Sequence, residues 1–156
     1  MATVVVVRHG KAGHREGWTG DDRERPLTRK GRRQAEGLVT LLAPFAFSGL
    51  RTSPYVRCRE TLEPLARARG LPLVLEEDLA EGGRLDPLLS AAGRDDPDGC
   101  WAACTHGDLL GDLLYRLVAT GVLPEAQVAL EKGGSWVLEV GSSGVVDARY
   151  LAPPEG

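Results

Sequence analysis

The sequence predicts an α/β domain built on a largely parallel sheet, and three observations carry that prediction. Val4-Val5-Val6-Val7 is an unbroken β-branched run. It lacks the alternation of a half-wet strand and so reads as a central strand covered on both faces. Cys100-Trp101-Ala102-Ala103-Cys104-Thr105 reads as a second buried strand. Between and after these runs, strand-like and helix-like segments alternate, the order that produces parallel crossovers.

The elements follow in order. Residues 3–8 form the first strand, and a polar, glycine-bearing loop spans 11–26. Thr28 is a good N-cap for a helix reaching about residue 42, with Ala35, Leu38, Val39 and Leu42 at helical spacing and Pro44 closing it. Residues 46–52 form the second strand. Pro54 opens a second helix to about residue 69, with Gly70 just past its end. Residues 71–75 are a third strand, 76–84 a loop, and 85–92 a short helix. Asp95-Asp96-Pro97-Asp98-Gly99 is a turn before the strand at 100–105. A helix follows, with Leu109, Leu110, Leu113, Leu114, Leu117 and Val118 on one stripe. Residues 124–134 connect to a hairpin, 135–140 and 145–150, around Gly141-Ser142-Ser143-Gly144. The hairpin makes the sheet mixed. One domain covers 1–152, and the tail 153–156 is expected to fray.

A chain of 156 residues with 42% hydrophobic and 26% charged content can bury one sizeable core. A net charge of −3 gives no general reason to bind nucleic acid. The early basic residues Arg23, Arg25, Arg29, Lys30, Arg32 and Arg33 are interleaved with Asp21, Asp22, Glu24 and Glu36, which reads mostly as a solvated face. No segment reaches the roughly 20 apolar residues of a membrane helix. The short apolar run at the N-terminus has no basic flank before it and ends in Arg8, unlike a signal peptide. On a strand, Cys100 and Cys104 would stand ~13 Å apart, too far for a disulfide. Reduced, mostly buried thiols in a cytoplasmic protein are therefore expected.

The chemistry gathers at strand ends. Both buried strands run into His-Gly: Arg8-His9-Gly10 and His106-Gly107. Open α/β sheets place their ligand crevice outside the carboxyl ends of the strands. A guanidinium there binds phosphate or carboxylate in two-pronged fashion, and an imidazole can act as nucleophile or proton carrier. At the third such transition, Ser53-Pro54-Tyr55-Val56-Arg57-Cys58-Arg59-Glu60-Thr61 offers further guanidiniums. Taken alone, Arg8 and His9 could simply be polar residues ending a strand. Two histidines and several arginines converging on one sheet edge instead describe a phosphate pocket with a candidate nucleophile.

These motifs resemble those of the histidine phosphatase superfamily, which includes the phosphoglycerate mutases and the SixA-type phosphohistidine phosphatases. The likeness rests on Arg8-His9-Gly10, on Ser53-Pro-x-x-Arg57-x-x-x-Thr61, on His106-Gly107, and on Arg25-Pro26-Leu27-Thr28-x-x-Gly31-x-x-Gln34-Ala35. Arg8-His9-x-Lys11-Ala12-Gly13, Val56-Arg57-Cys58 and Lys132-Gly133-Gly134-Ser135-Trp136-Val137-Leu138 resemble more closely the phosphatase-like domain fused to Nudix hydrolases in mycobacteria.

The resemblance implies a helix-flanked sandwich of the phosphoglycerate mutase type. It also implies a phosphohistidine intermediate on His9, with Arg8 and Arg57 on the phosphoryl oxygens, His106 stabilising developing charge, and Gly107 beside the phosphate. No metal and no cofactor are then required. Glu81, in Asp78-Leu79-Ala80-Glu81-Gly82, is the candidate acid for the leaving group; its other reading is a solvated loop residue. Ser53 either binds phosphate or caps the following helix. Lys11 either meets a second phosphate or is simply exposed. His14 reads as a surface histidine. Trp18 either stacks on a base or packs on its own loop. Arg25 and Arg59 either line the mouth or pair with Glu24 and Glu60. The expected partners are a phosphorylated small molecule, a nucleotide or a phosphohistidine protein, with neither nucleic acid nor membrane. The chain is too short for a mutase-type lid. The alternative function is a phosphate-binding or accessory module with little turnover. A phosphorelay transfer protein would carry its histidine mid-helix and not at a strand end.

Overall fold

Strand β1 (Ala2–Arg8) is the central structural element of a computed structural model that describes residues 1–155. The other strands are β2 (Gly49–Thr52), β3 (Leu73–Leu75), β4 (Cys100–Thr105), β5 (Ser135–Gly141) and β6 (Gly144–Leu151). The helices are α1 (Arg29–Leu41), α2 (Val56–Arg69), α3 (Asp86–Asp95) and α4 (Gly107–Ala119). The sheet order is β3-β2-β4-β1-β5-β6, parallel from β3 to β1 and antiparallel across β5 and β6.

The four valines of β1 are fully buried because each face of the sheet carries a helical layer. Val4 and Val6 join Leu89, Leu110 and Leu114 of α3 and α4. Val5 and Val7 join Leu38, Leu62 and Leu65 of α1 and α2. Each such side chain contributes about 1.5–3 kcal/mol on burial, so neither face could be polar without opening a core. The mostly parallel mixed sheet expected from the sequence is therefore present.

Several boundaries differ from the sequence reading. The strand expected over 46–52 begins only at Gly49, since Ser48 already turns its N–H and hydroxyl to the Cys100 carbonyl and Phe47 is drawn into the core. The strand expected over 71–75 starts at Leu73; it is the sheet edge, where Val74 and Leu75 stay exposed. The short third helix runs on to Asp95, into residues read as a turn. Pro154 rests over Gly37 of α1, so packing continues into the stretch expected to fray from 153. Thr28 caps α1 through the Gly31 N–H, and Gly70 closes α2 at φ 63°, both as expected.

Candidate active site

The register of the two central strands sets the site. Arg8 lies opposite Thr105, which brings the following residues, His9 and His106, side by side with ring centroids 5.4 Å apart. From β1 the chain crosses by α1 to the β2 side, whereas from β4 it crosses by α4 to β5, beyond β1. The two connections diverge and leave a crevice between them, as a change of strand order does in open α/β sheets. A cleft of about 700 Å³ occupies that place, lined among others by Arg8, His9, Arg57, Glu81, His106 and Gly107.

His9 is 6% exposed, and its Nδ1 lies 2.8 Å from the Gly10 carbonyl. A carbonyl only accepts, so Nδ1 carries the hydrogen and Nε2 keeps its lone pair. Burial drives the His9 pKa down to about 3; the Gly10 contact opposes this, and the charges of Arg57, His106 and Arg8 add to it. At neutral pH the ring is an uncharged imidazole, the form that can attack phosphorus.

Arg57 is fully buried, yet its guanidinium reaches the cleft. Nη1 donates to the Asp22 carbonyl at 2.9 Å, and Nη2 donates to Asp22 Oδ2 at 3.1 Å and to Glu81 Oε1 at 2.9 Å. The group lies 4.8 Å from the centre of the Tyr55 ring. One helical turn on, the Thr61 hydroxyl donates to the Arg57 carbonyl at 2.6 Å and accepts the Gly10 N–H at 3.0 Å. The Arg-x-x-x-Thr spacing thus ties α2 to the loop that carries His9.

Arg8 Nη1 donates to the Leu130 carbonyl at 2.6 Å, and its guanidinium lies against the backbone of Gly107. A Cβ at residue 107 would come within 2.9 Å of the Arg8 Cζ, so glycine is what lets the two approach. His106 presents Nε2 to the Ser53 hydroxyl at 2.9 Å and to Cys58 Sγ at 3.6 Å, while its Nδ1 faces Glu81 Oε1 at 3.7 Å. Arg8 Nε, Arg57 Nε and His106 Nδ1 are buried without a hydrogen-bond partner. Each such group costs about 1–3 kcal/mol unless something satisfies it. All three belong to residues that line one cleft, where two guanidiniums and two imidazoles stand together as a phosphate site requires. A second cleft of about 590 Å³ lies between α3, α4 and the hairpin. It includes Arg94 and Arg116 but no histidine.

The cleft brings together Arg8, His9, Arg57, Glu81, His106 and Gly107. Ser53, read as a phosphate ligand or a cap, is fully buried behind His106. Its oxygen also accepts the Tyr55 N–H at 3.2 Å, and it does not line the cleft. Glu81 is no isolated loop residue: Arg15 and Arg57 both donate to its Oε1 at 2.9 Å. Arg25 lines the cleft from a buried position; it pairs with Asp22 instead of Glu24 and also donates to the Gly13 carbonyl. Arg59 is exposed, and Glu60 accepts the Leu27 N–H instead. Trp18 packs on its own loop, over Gly20, with Nε1 donating to the Asp21 carbonyl at 2.8 Å. His14 and Lys11 are exposed at the cleft wall.

Asp22 is the site residue that sequence reading missed. It bridges Arg15, Arg25 and Arg57 from a 3-10 turn, Asp22–Glu24, in the 11–26 loop. Burial alone would raise its pKa, but hydrogen bonds and charge from Arg25 and Arg57 hold it below the usual carboxylate range. The only sequence signal was its position three residues before Arg25, hidden in a mixed-charge stretch. Among the described residues, no group of three or more His, Cys, Asp and Glu is placed to hold a metal ion. No helix among them is long and apolar enough to cross a membrane.

The family model described as the histidine phosphatase superfamily (branch 1) matches residues 4–85, which include Arg8, His9, Arg57 and Glu81. The chain is 38% identical over 160 residues to an 8-oxo-(d)GTP phosphatase of Mycolicibacterium smegmatis. That alignment covers 98% of this chain and 49% of the relative, so the chain spans about half the relative's length. The fold is similar to that of the protein histidine phosphatase SixA solved with tungstate, with a TM-score of 0.76 at 19% identity over 98% of this chain and 96% of the other. It is also similar to YhfR of Bacillus stearothermophilus, with a TM-score of 0.70 at 19% identity, covering 94% and 98% of the two chains.

Proposed function

The chain belongs to the histidine phosphatase superfamily, and from that membership we propose that it hydrolyses a phosphorylated substrate through a covalent phosphohistidine on His9, without a metal ion. The observation that carries this reading is an uncharged His9, its Nε2 free, in one cleft with the guanidiniums of Arg8 and Arg57 and the ring of His106. Nε2 attacks phosphorus, a P–N bond forms, and the P–O bond to the leaving group breaks. The leaving oxygen takes up a proton, water then attacks phosphorus and gives one up, the P–N bond breaks, and phosphate departs with the imidazole restored. The arginines and His106 hold the phosphoryl oxygens through both steps, and fixed charge of this kind takes the part a metal plays elsewhere. Gly107 admits the Arg8 guanidinium to the phosphate side.

Glu81 is the carboxylate beside Arg57, but Arg15 and Arg57 both engage its Oε1. In this arrangement it orients Arg57. Delivering a proton to a leaving group would require that contact to open. Nucleotides are the first phosphomonoesters to test, since a relative of which this chain spans half is named for acting on 8-oxo-(d)GTP.

The test is a rapid quench without acid, after mixing the protein with a phosphorus-labelled generic phosphomonoester in the presence of EDTA. Label on His9 together with phosphate release is the expected result. Release that depends on an added metal, or label on another residue, would overturn the mechanism.

A further inference from the structure

We infer that this cleft takes a substrate with two adjacent phosphates: the terminal one reacts at His9, and the next is held by Lys11 and Lys132. The inference rests on the phosphatase reading above and names the substrate class for the same site.

The charges lining the cleft fall into two groups. Arg15, Arg25 and Arg57 pair with Asp22 or Glu81. Arg8, Lys11 and Lys132 line the same cleft, and among the described residues none has a carboxylate within 4 Å; Arg8 is held beside His9 by the Leu130 carbonyl, which leaves the two lysines for a second phosphate. Partial desolvation at the cleft wall lowers the Lys132 pKa, and the neighbouring charges of Arg8, Arg25, Lys11 and Arg57 lower it further. Like charges held together without counter-charge repel, and a bound polyanion removes that repulsion.

The two lysines are set by one buried side chain. Gln34 Oε1 accepts the Lys11 N–H at 2.9 Å, and its Nε2 donates to the Lys132 carbonyl at 3.2 Å. The next residue after Lys132, Gly133, donates its N–H to the carbonyls of Arg8 and His9, each at 3.0 Å. On the other side, Gly31 lets α1 close on the Lys11 carbonyl, which a Cβ there would meet at 2.1 Å. Both ammonium groups thus spring from backbone fastened to the end of β1, next to the nucleophile.

The chemistry agrees. An alkoxide leaving group needs a proton, and Glu81 is engaged by Arg15 and Arg57. With a diphosphate, the P–N bond forms at the terminal phosphorus and the bond to the bridging oxygen breaks. The electron pair then remains on a monophosphate, a stable anion that needs no strong acid beside it. Lys11 and Lys132 would bear the charge that this leaving phosphate gains.

The experiment compares binding of methylenediphosphonate and methylphosphonate by calorimetry at fixed ionic strength. The wild-type protein and the Lys11→Gln/Lys132→Gln double variant are compared. Wild type should bind the diphosphonate roughly tenfold tighter or better, and the double variant should bring the two ligands within about threefold. Equal affinities in wild type, or a preference that survives in the double variant, would overturn the inference. Turnover of ADP against AMP and p-nitrophenyl phosphate separates it from the reading beneath. Monoester hydrolysis with no diphosphate preference sinks only the second subsite, whereas no turnover and no label on His9 sinks the phosphatase mechanism itself. Both lysines are exposed, so circular dichroism should show an unchanged fold.

Discussion

The two His-Gly pairs are alike in sequence and opposite in circumstance. His9 ends β1 and enters a loop; His106 ends β4 and opens α4 directly. His9 turns Nδ1 onto its own neighbour's carbonyl and leaves Nε2 free. His106 has Ser53 and Cys58 against Nε2, and its buried Nδ1 faces Glu81 Oε1 at 3.7 Å. One imidazole keeps an unshared Nε2 lone pair, and the other is held from behind by Ser53 and Cys58. The lesson is that a dipeptide at a strand end specifies a place, and the neighbours brought by other elements specify the role.

The strongest way to break the comparison is to remove each ring in turn. His9→Ala should abolish both labelling and turnover, a loss of at least about a thousandfold, with the fold intact by circular dichroism. His106→Ala should slow turnover by roughly a hundredfold or more and still accept label slowly on His9. Equal losses, or label arriving on His106, would exchange or merge the two roles.

Arg57→Lys sharpens the comparison from the side of the ligand. A single ammonium cannot reproduce a fork that already serves Asp22 and Glu81, so kcat/KM should fall by about a hundredfold. Asp22→Asn tests the missed residue. It touches no reacting atom here; it positions Arg57 and Arg25. The ratio kcat/KM should drop by about tenfold, mostly through KM, with a stability loss of about 1–3 kcal/mol from the buried Arg25 guanidinium left without its charge partner. Asp22→Glu should restore part of KM, which a merely structural role would not predict.

The smallest effect is on stability against pH. An unfolded chain protonates His9 near its ordinary 6.5, whereas the native ring holds out to about 3. The unfolded state therefore binds the extra proton between those values, and stability falls as pH drops from about 6.5 toward 3. Asp22 acts in the same direction, its contribution being present above the usual carboxylate range and lost as pH falls through its lowered value. Urea unfolding at a series of pH values should give a flatter curve for His9→Asn than for wild type. Curves of equal slope would contradict the depressed histidine.

Much of this molecule follows from its sequence, because some signals are local. Four consecutive β-branched valines read as a strand covered on both sides, with His9 at its end, and the structure buries all four. The Arg57-x-x-x-Thr61 spacing places both residues on one face of one helix, and α2 carries them so. The Thr28 cap and Gly70 are equally local. Those features led to the α/β class, the order of the elements and part of the cleft lining, Arg8, His9, Arg57, His106 and Gly107 among it. Ser53 was legible as important but not as the support of His106, since nothing in the chain says that residues 53 positions apart will touch.

Asp22, Gln34 and Lys132 show what only the tertiary structure decided. Asp22 looked like one more acid in a solvated, mixed-charge stretch until the loop brought it to Arg57, 35 positions away. Gln34 sat in a helix pattern until α1 packed it between Lys11 and Lys132. Periodicity and capping are short-range properties that a few neighbouring residues determine. The pairing of a buried charge depends on which elements the sheet order makes adjacent, and that order is settled by packing over the whole chain.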